Sequence, residues 1–219
     1  MNTLFLDIAT HTSSSLDGSS GMIACVDDAV VSKIAVDDRM SDTDLMPAVE
    51  KALKDAGWNY QDLTQIACVI GPGGFTSLRM GVSLANALAD QLKIPSAGVH
   101  LSDLYRARVM SDDFLWMHST KKTELFVRGF GSLQSQWPEA TLVGIDEFVS
   151  TVGAWHGSTA LTTGAMPLHV CGELIPDHRE KIPRWTALPL RPLADVLPSL
   201  LANLLYKTDL LLPWYGRMW

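Results

Sequence analysis

Ile66-Ala67-Cys68-Val69-Ile70-Gly71-Pro72-Gly73-Gly74-Phe75-Thr76-Ser77-Leu78-Arg79-Met80-Gly81 is the stretch whose reading decides the fold. Its first five residues are all apolar and three are β-branched, which predicts a short strand buried on both sheet faces. Gly71, Gly73 and Gly74 predict a sharp turn, and Thr76 is a good N-cap for a helix running to about Leu92. A strand, a glycine-rich turn and a helix N-terminus bring backbone N–H groups to the positive end of a helix dipole. Such a turn can hold a phosphate or a carboxylate. No Lys-Ser/Thr pair follows, so it is not a Walker A loop. The simpler reading, that glycine supplies the positive-φ conformations of a tight turn, takes precedence on physical grounds.

Upstream of this stretch, Thr3-Leu4-Phe5-Leu6-Asp7-Ile8 reads as a buried strand ending in a carboxylate. A Ser/Gly-rich turn follows over Thr10–Gly21. Met22–Val26 and Val30–Val36 then read as strands joined tightly at Asp27-Asp28, so the chain opens with a β-meander. Ser41-Asp42-Thr43-Asp44 is an S-x-x-D capping box, and Leu45, Val49, Ala52 and Ala56 keep helical spacing up to Gly57, a natural stop. Ser96–Val99 reads as another strand, with Ser102 placed to cap the helix after it. Together these elements predict a mixed sheet with flanking helices. In the second half, Phe114–His118 and Leu125–Phe130 read as paired strands, Asp146–Val149 as a helix opening and Ala160–Thr163 as a strand. Leu193, Val196, Leu197, Leu200, Leu201, Leu204 and Leu205 share helical spacing, with Pro198 expected to delay or kink that helix. A boundary near residue 100 divides the chain into an N-terminal lobe, 1–100, and a C-terminal lobe, 101–219.

The helix after the turn carries two apolar stripes. Leu78, Val82, Ala85, Ala89 and Leu92 form one, and Met80, Leu84 and Ala87 the other, leaving Arg79, Ser83, Asn86 and Asp90 as a polar edge. A surface helix normally shows one stripe. Two stripes mean either a helix sandwiched inside its own domain or one that also meets a partner. The composition poses the same choice for the whole chain. Only 19% of the 219 residues are charged while 47% are apolar, and the mean hydropathy is +0.13. The core is generous, or apolar surface is reserved for a partner.

The net charge of −7 argues against a protein whose main task is gripping nucleic acid phosphates. Asp7 interrupts the first apolar run, which therefore does not read as a signal peptide, and no stretch is long enough to span a membrane. Cys25, Cys68 and Cys171 are widely spaced in apolar, strand-like contexts and read as reduced core thiols of a cytoplasmic protein.

The segment Gly71–Gly81 resembles the G-P-G-S-F-T-G-[LV]-R-[IL]-G signature of the TsaB (YeaZ) family. Flanking features agree in order: Leu6-Asp7, Leu45-Met46-Pro47, Ile94-Pro95, Gly98-Val99, Ser102, Glu124-Leu125-Phe126 and Pro213-Trp214-Tyr215-Gly216-Arg217. The resemblance spans the chain and is strongest over residues 66–104. It implies an α/β fold of two ASKHA-type lobes, like actin and the sugar kinases, each a mixed sheet flanked by helices. It implies a noncatalytic scaffold subunit. Its expected partner is the paralogue TsaD, which threonylcarbamoylates the adenosine beside the anticodon of tRNA. TsaE, an ATPase, is expected in the same assembly, with tRNA met mainly through the complex and homodimerisation left open. Helices 43–56 and 76–92 are then the partner-binding pair, with Leu45, Met46, Val49, Leu53, Arg79, Met80, Ser83, Leu84 and Ala87 as interface residues. Gly74, Ser77, Ile8, Ser41, Ser119 and Lys121 depart from the family pattern. These departures bear on ligand handling at Asp7, Gly71, Gly73, Gly74 and Thr76 more than on the lobes.

The alternative from another class is a stand-alone small-molecule kinase or peptidase-like enzyme of the same superfamily. Its motifs are missing. The six histidines form no H-x-x-x-H pair, and no G-x-S-x-G elbow is present. His169-Val170-Cys171 with His178 is the nearest metal-like cluster and reads as ordinary strand and loop positions. No cofactor, metal or catalytic residue is assigned. Asp7 could orient a phosphate-bound metal, but a structural role fits better without a kinase-like phosphate motif elsewhere. Trp185, Trp214 and Trp219 read as packing residues.

Overall fold

Thr3–Asp7 (β1) is buried along its whole length because it is the middle strand of a five-stranded sheet. The computed structural model describes residues 1–9, 21–36, 41–158, 167–182 and 184–216. β1 pairs antiparallel with Gly21–Val26 (β2), which pairs antiparallel with Val30–Val36 (β3). On its other side β1 runs parallel to Gln65–Gly71 (β4), which runs parallel to Ser96–His100 (β5). The registers Leu4↔Cys25 and Leu4↔Ile66 put alternate residues of all three strands on one face. There they pack against helices Asp42–Ala56 (α1) and Phe75–Leu92 (α2), giving a core of Leu4, Leu6, Ile23, Cys25, Ile66, Cys68, Val49, Leu53, Val82 and Ala85. The residues between them, Phe5, Ala24, Val26, Ala67 and Val69, are buried as well. This double burial is why the strands read as unbroken apolar runs.

Most predicted elements form, and three helix starts differ from expectation. α1 begins as read: Asp44 Oδ2 accepts from the Ser41 backbone N–H (3.0 Å) and hydroxyl (2.6 Å), and these bonds hold the Asp44 carboxyl below the usual carboxylate range. Gly57 ends it at φ 72°. α2 starts at Phe75 with Gly74 as N-cap, not at Thr76. Its first helical bond runs from the Leu78 N–H to the Gly74 carbonyl at 2.9 Å, and Thr76 sits exposed in the first turn. Leu101–Arg108 (α3) is capped by His100, not Ser102: the imidazole Nδ1 accepts from the Ser102 N–H at 3.2 Å and meets the Ser102 hydroxyl at 2.7 Å. The leucine-rich helix starts before Pro198 and stops earlier than its spacing indicates. It is the last of the second set of elements given below. The Thr10–Ser20 turn, the Ala160–Thr163 strand, Arg217 and Trp219 lie outside the described residues.

The second sheet is built from Phe114–Lys121 (β6), Glu124–Phe130 (β7), Thr141–Gly144 (β8), Leu168–Glu173 (β9) and Trp185–Ala187 (β10). Its order β10-β9-β6-β7-β8 is that of the first sheet, β3-β2-β1-β4-β5, read from the other edge with each strand number raised by five. The hairpin strands are again antiparallel, and β6, β9 and β10 are again parallel. Helices Ile145–Ser158 (α4), Pro176–Lys181 (α5) and Leu193–Ala202 (α6) complete a second βββαβαβα series. Pro198 lies inside α6, where burial of Leu193, Val196, Leu197 and Leu201 outweighs the one missing backbone bond.

The described residues up to Arg108 form one compact unit with Arg191–Tyr215, and Val109–Leu190 form the other. The sequence-based cut at residue 100 therefore falls inside the first unit, and the span 101–219 is shared between the two. Three bonds hold α3 there: the Arg108 Nε–H donates to the Arg191 carbonyl at 2.9 Å, the Arg191 N–H to the Arg108 carbonyl at 3.0 Å, and the Arg191 Nη2 group to the Ala107 carbonyl at 2.6 Å.

Within the first unit, residues after α6 form a strap. Lys207 and Ser96 exchange backbone bonds of 2.9 and 2.7 Å at the free edge of β5. The Asn86 side chain donates to the Leu211 carbonyl and accepts from its N–H, both at 2.9 Å. Trp214 donates its N–H to the Ile70 carbonyl at 2.7 Å and packs edge-on against His100, with ring centroids 4.5 Å apart. A Cβ on Gly71, whose φ is 134°, would lie 2.3 Å from the Trp214 carbonyl oxygen. Asn86→Ala should lower the unfolding free energy by ~1–3 kcal/mol, and limited proteolysis should then cut faster between residues 205 and 212. Gly71→Ala should cost more, about 2 kcal/mol or above from strain and overlap together, as read by urea denaturation.

Candidate partner-binding site

α1 spends its apolar spacing on its own unit. Leu45, Val49 and Leu53 are buried in the core with Ala52, whereas Met46 keeps 39% of its surface exposed. The same division holds on α2. Leu78, Gly81, Val82 and Ala85 face the sheet and are buried. Met80, Leu84 and Leu88 are half-buried along the edge of that core, and Arg79, Ser83 and Ala87 are exposed. The structure thus separates the interface residues named from sequence into two groups. Leu45, Val49 and Leu53 are committed to the unit's own core. Met46, Arg79, Met80, Ser83, Leu84 and Ala87 retain surface. The second stripe of α2 is therefore only partly covered by its own unit. Its outer part is small and weakly polar, a surface that another helix can approach closely.

At one end of this face stands a group that the sequence reading left unassembled. Phe75 and Arg79 are four residues apart, so their side chains are neighbours on the helix. The guanidinium carbon lies 3.9 Å from the Phe75 ring centroid. The Arg79 Nε–H donates to the Tyr215 hydroxyl at 3.2 Å, and the Tyr215 and Phe75 rings stand 5.2 Å apart at 33°. The Phe-x-x-x-Arg spacing was a readable signal. Tyr215, 136 positions away from Arg79, was not.

Asp7 and the glycine turn come together at the carboxyl ends of the adjacent parallel strands β1 and β4. The turn is closely packed. A Cβ on Gly73 would lie 2.7 Å from the Ala9 Cβ, and one on Gly81 2.9 Å from Ile8 Cγ1. Asp7 is buried, and its Oδ1 accepts from the Ala9 N–H at 3.4 Å. Burial and then the negative charge of Asp7 push the Cys68 thiol far up, so it behaves as an inert core group. Close approach to neighbouring backbone explains Gly71 and Gly73, and capping explains Gly74. Thr76 makes no such contact.

The second unit places a serine and a histidine side by side. Ser119 Oγ lies 2.9 Å from His178 Nδ1 and also accepts from the Ile175 N–H at 3.1 Å, while His178 Nε2 lies 3.0 Å from the Lys122 carbonyl. Where a catalytic triad has a carboxylate, this imidazole meets a main-chain carbonyl. The bonds tie β6 to α5. Among the described residues no three His, Cys, Asp or Glu side chains gather into a group that could hold a metal ion. None of their helices is long and apolar enough to cross a membrane.

The model of the family described as TsaD, tRNA N6-adenosine threonylcarbamoyltransferase, matches residues 36–152, more than half of the chain. The Bacillus subtilis (strain 168) tRNA threonylcarbamoyladenosine biosynthesis protein TsaB is 46% identical over 54 residues, 25% of this chain and 24% of that protein. A tRNA N6-adenosine threonylcarbamoyltransferase of Syntrophus aciditrophicus (strain SB) is 34% identical over 95 residues, covering 40% of this chain and 28% of that protein. The chain thus spans only about a quarter of the length of these two relatives. Among solved structures, a Pseudomonas aeruginosa protein described as similar to peptidase YEAZ superposes with a TM-score of 0.66 over 99% of both chains at 17% identity. YeaZ from Pseudomonas aeruginosa gives 0.57 at 19% identity over 90% of this chain and 89% of that one. Those two likenesses concern the fold, two mixed sheets flanked by helices. The family match over more than half of its length shows that this chain belongs to the TsaD-like family, and the glycine turn and duplicated βββαβαβα series are consistent with that membership.

Proposed function

We propose that this chain is a noncatalytic subunit in the threonylcarbamoylation of the adenosine beside the tRNA anticodon. In this reading it holds a TsaD-type enzyme through the outer face of α1 and α2, and a TsaE-type ATPase joins the same cytoplasmic assembly. The observation that carries the reading is the half-covered second stripe of α2, where Met80, Leu84, Ser83 and Ala87 with Met46 offer a small, apolar helical surface. The duplicated architecture adds support. The counterpart of the 18-residue α2 is α5, only six residues long, so among the described residues the first unit alone presents a pair of long helices beside its sheet. The net charge of −7 fits a subunit that leaves most tRNA phosphate contacts to its partner.

Mixed at micromolar concentration with the TsaD-type protein of its own organism, the chain should elute as a heterodimer in size-exclusion chromatography. Absence of a complex overturns the reading. Ala87→Arg should weaken association by about tenfold or more, equivalent to ~1.4 kcal/mol, with an unchanged melting temperature because Ala87 is exposed. Leu84→Glu should act in the same direction. ATP turnover by the isolated chain, abolished by Asp7→Ala, would favour the stand-alone enzyme instead.

A further inference from the structure

We infer that Phe75, Arg79 and Tyr215 form a preset guanidinium anchor that takes a carboxylate from the protein partner. This inference rests on the partner-binding reading of α1 and α2 and adds the chemistry that the partner must present there. Three observations carry it. The guanidinium is held from two directions, by the Phe75 ring 3.9 Å beneath it and by the Tyr215 hydroxyl 3.2 Å from Nε. Arg79 is exposed, its hydrogen bond to Tyr215 uses Nε and leaves both Nη groups out of that contact, and no acidic side chain among the described residues pairs with it. A fork fixed in this way offers two parallel N–H donors, the geometry that matches a carboxylate. Because the side chain is already ordered, little rotamer freedom is left to lose on association.

The surroundings choose the class of partner. Arg79 is the one charged residue between Phe75 and Ala89, and the strap residues Leu210–Gly216 carry none. A phosphate-binding surface needs several cations along a track. A lone arginine beside an exposed phenylalanine and a tyrosine, on the helix that carries Met80 and Leu84, has the make-up of an energetic centre in a protein interface. The occupant is therefore an apolar helical surface bearing one aspartate or glutamate, and the anchor sets its position along α2.

Isothermal titration of the heterodimer at low and high salt tests this. Arg79→Gln should raise Kd by about tenfold or more and flatten the salt dependence. Arg79→Lys, a point charge without the fork, should recover only part of the loss. Tyr215→Phe, which keeps the ring and removes the acceptor, should raise Kd by roughly threefold. Replacing the partner's interface acids one at a time by their amides should find one whose effect vanishes in the Arg79→Gln background. An Arg79→Gln variant that binds like wild type, while Ala87→Arg does not bind, overturns the anchor and leaves the docking face standing. A wild-type chain that does not bind removes both. Loss of the fold in Arg79→Gln, read by circular dichroism, makes the cluster structural and overturns the anchor. A variant whose heterodimer is intact but whose complex binds tRNA more weakly assigns the cation to phosphate and also overturns it.

Discussion

Two backbones meet at Gly71 at a distance that no side chain would permit, and the first unit is arranged around that contact. The end of β4 lies against the Trp214 carbonyl, while Gly73 lies against Ala9 just beyond β1. This double approach fixes where α2 leaves the sheet. It also fixes where the strap returns, because the Trp214 N–H reaches the Ile70 carbonyl one residue before Gly71. Asn86 then holds the strap three turns into α2, and Lys207 holds it at the edge of β5. Tyr215 reaches Arg79 only because this path is closed. The same geometry explains why a glycine-rich strand-to-helix turn, which elsewhere cradles anions, is here filled by the chain's own main chain.

The two units solve one topological problem with different chemistry. Each places a hairpin beside two parallel strands and closes the carboxyl ends of those strands. The first uses glycine and bare backbone contact. The second uses side chains: His118 and Glu173, paired in register across β6 and β9 and buried with Nδ1 3.5 Å from Oε2, and Ser119 bonded to His178. The helix that follows β9, α5, is only six residues long. That difference leaves α2 three times as long as its counterpart α5.

Much of the first sheet was legible because its strands are buried on both sides and punctuated by Gly57, Gly71 and the Asp27-Asp28 turn. Periodicity and punctuation act locally, and they located α1 and α2 to within a residue or two. What escaped had a nonlocal cause. Thr76 looks like a cap in isolation, but Gly74 emerges from the turn already extended, at φ −59° and ψ 128°, and takes the position. Ser102 yields to His100 because the imidazole lies one residue before the helix. β8 and β10, at four and three residues, are too short to show a period. The site was half legible for the same reason. Helical spacing identified the two stripes of α2, yet it could not tell that Leu45, Val49 and Leu53 on α1 are spent inside. The strap, Asn86–Leu211 and Arg79–Tyr215 join residues more than a hundred positions apart, and no local pattern announces them.

The brevity of α5 also has a consequence for assembly. A chain built from two similar halves would ordinarily carry two similar surfaces, and two equivalent surfaces invite open-ended chaining of molecules. Shortening one helix leaves, among the described residues, a single pair of long helices laid beside one sheet. If that pair is the docking face proposed above, self-pairing and pairing with a different protein through it exclude each other.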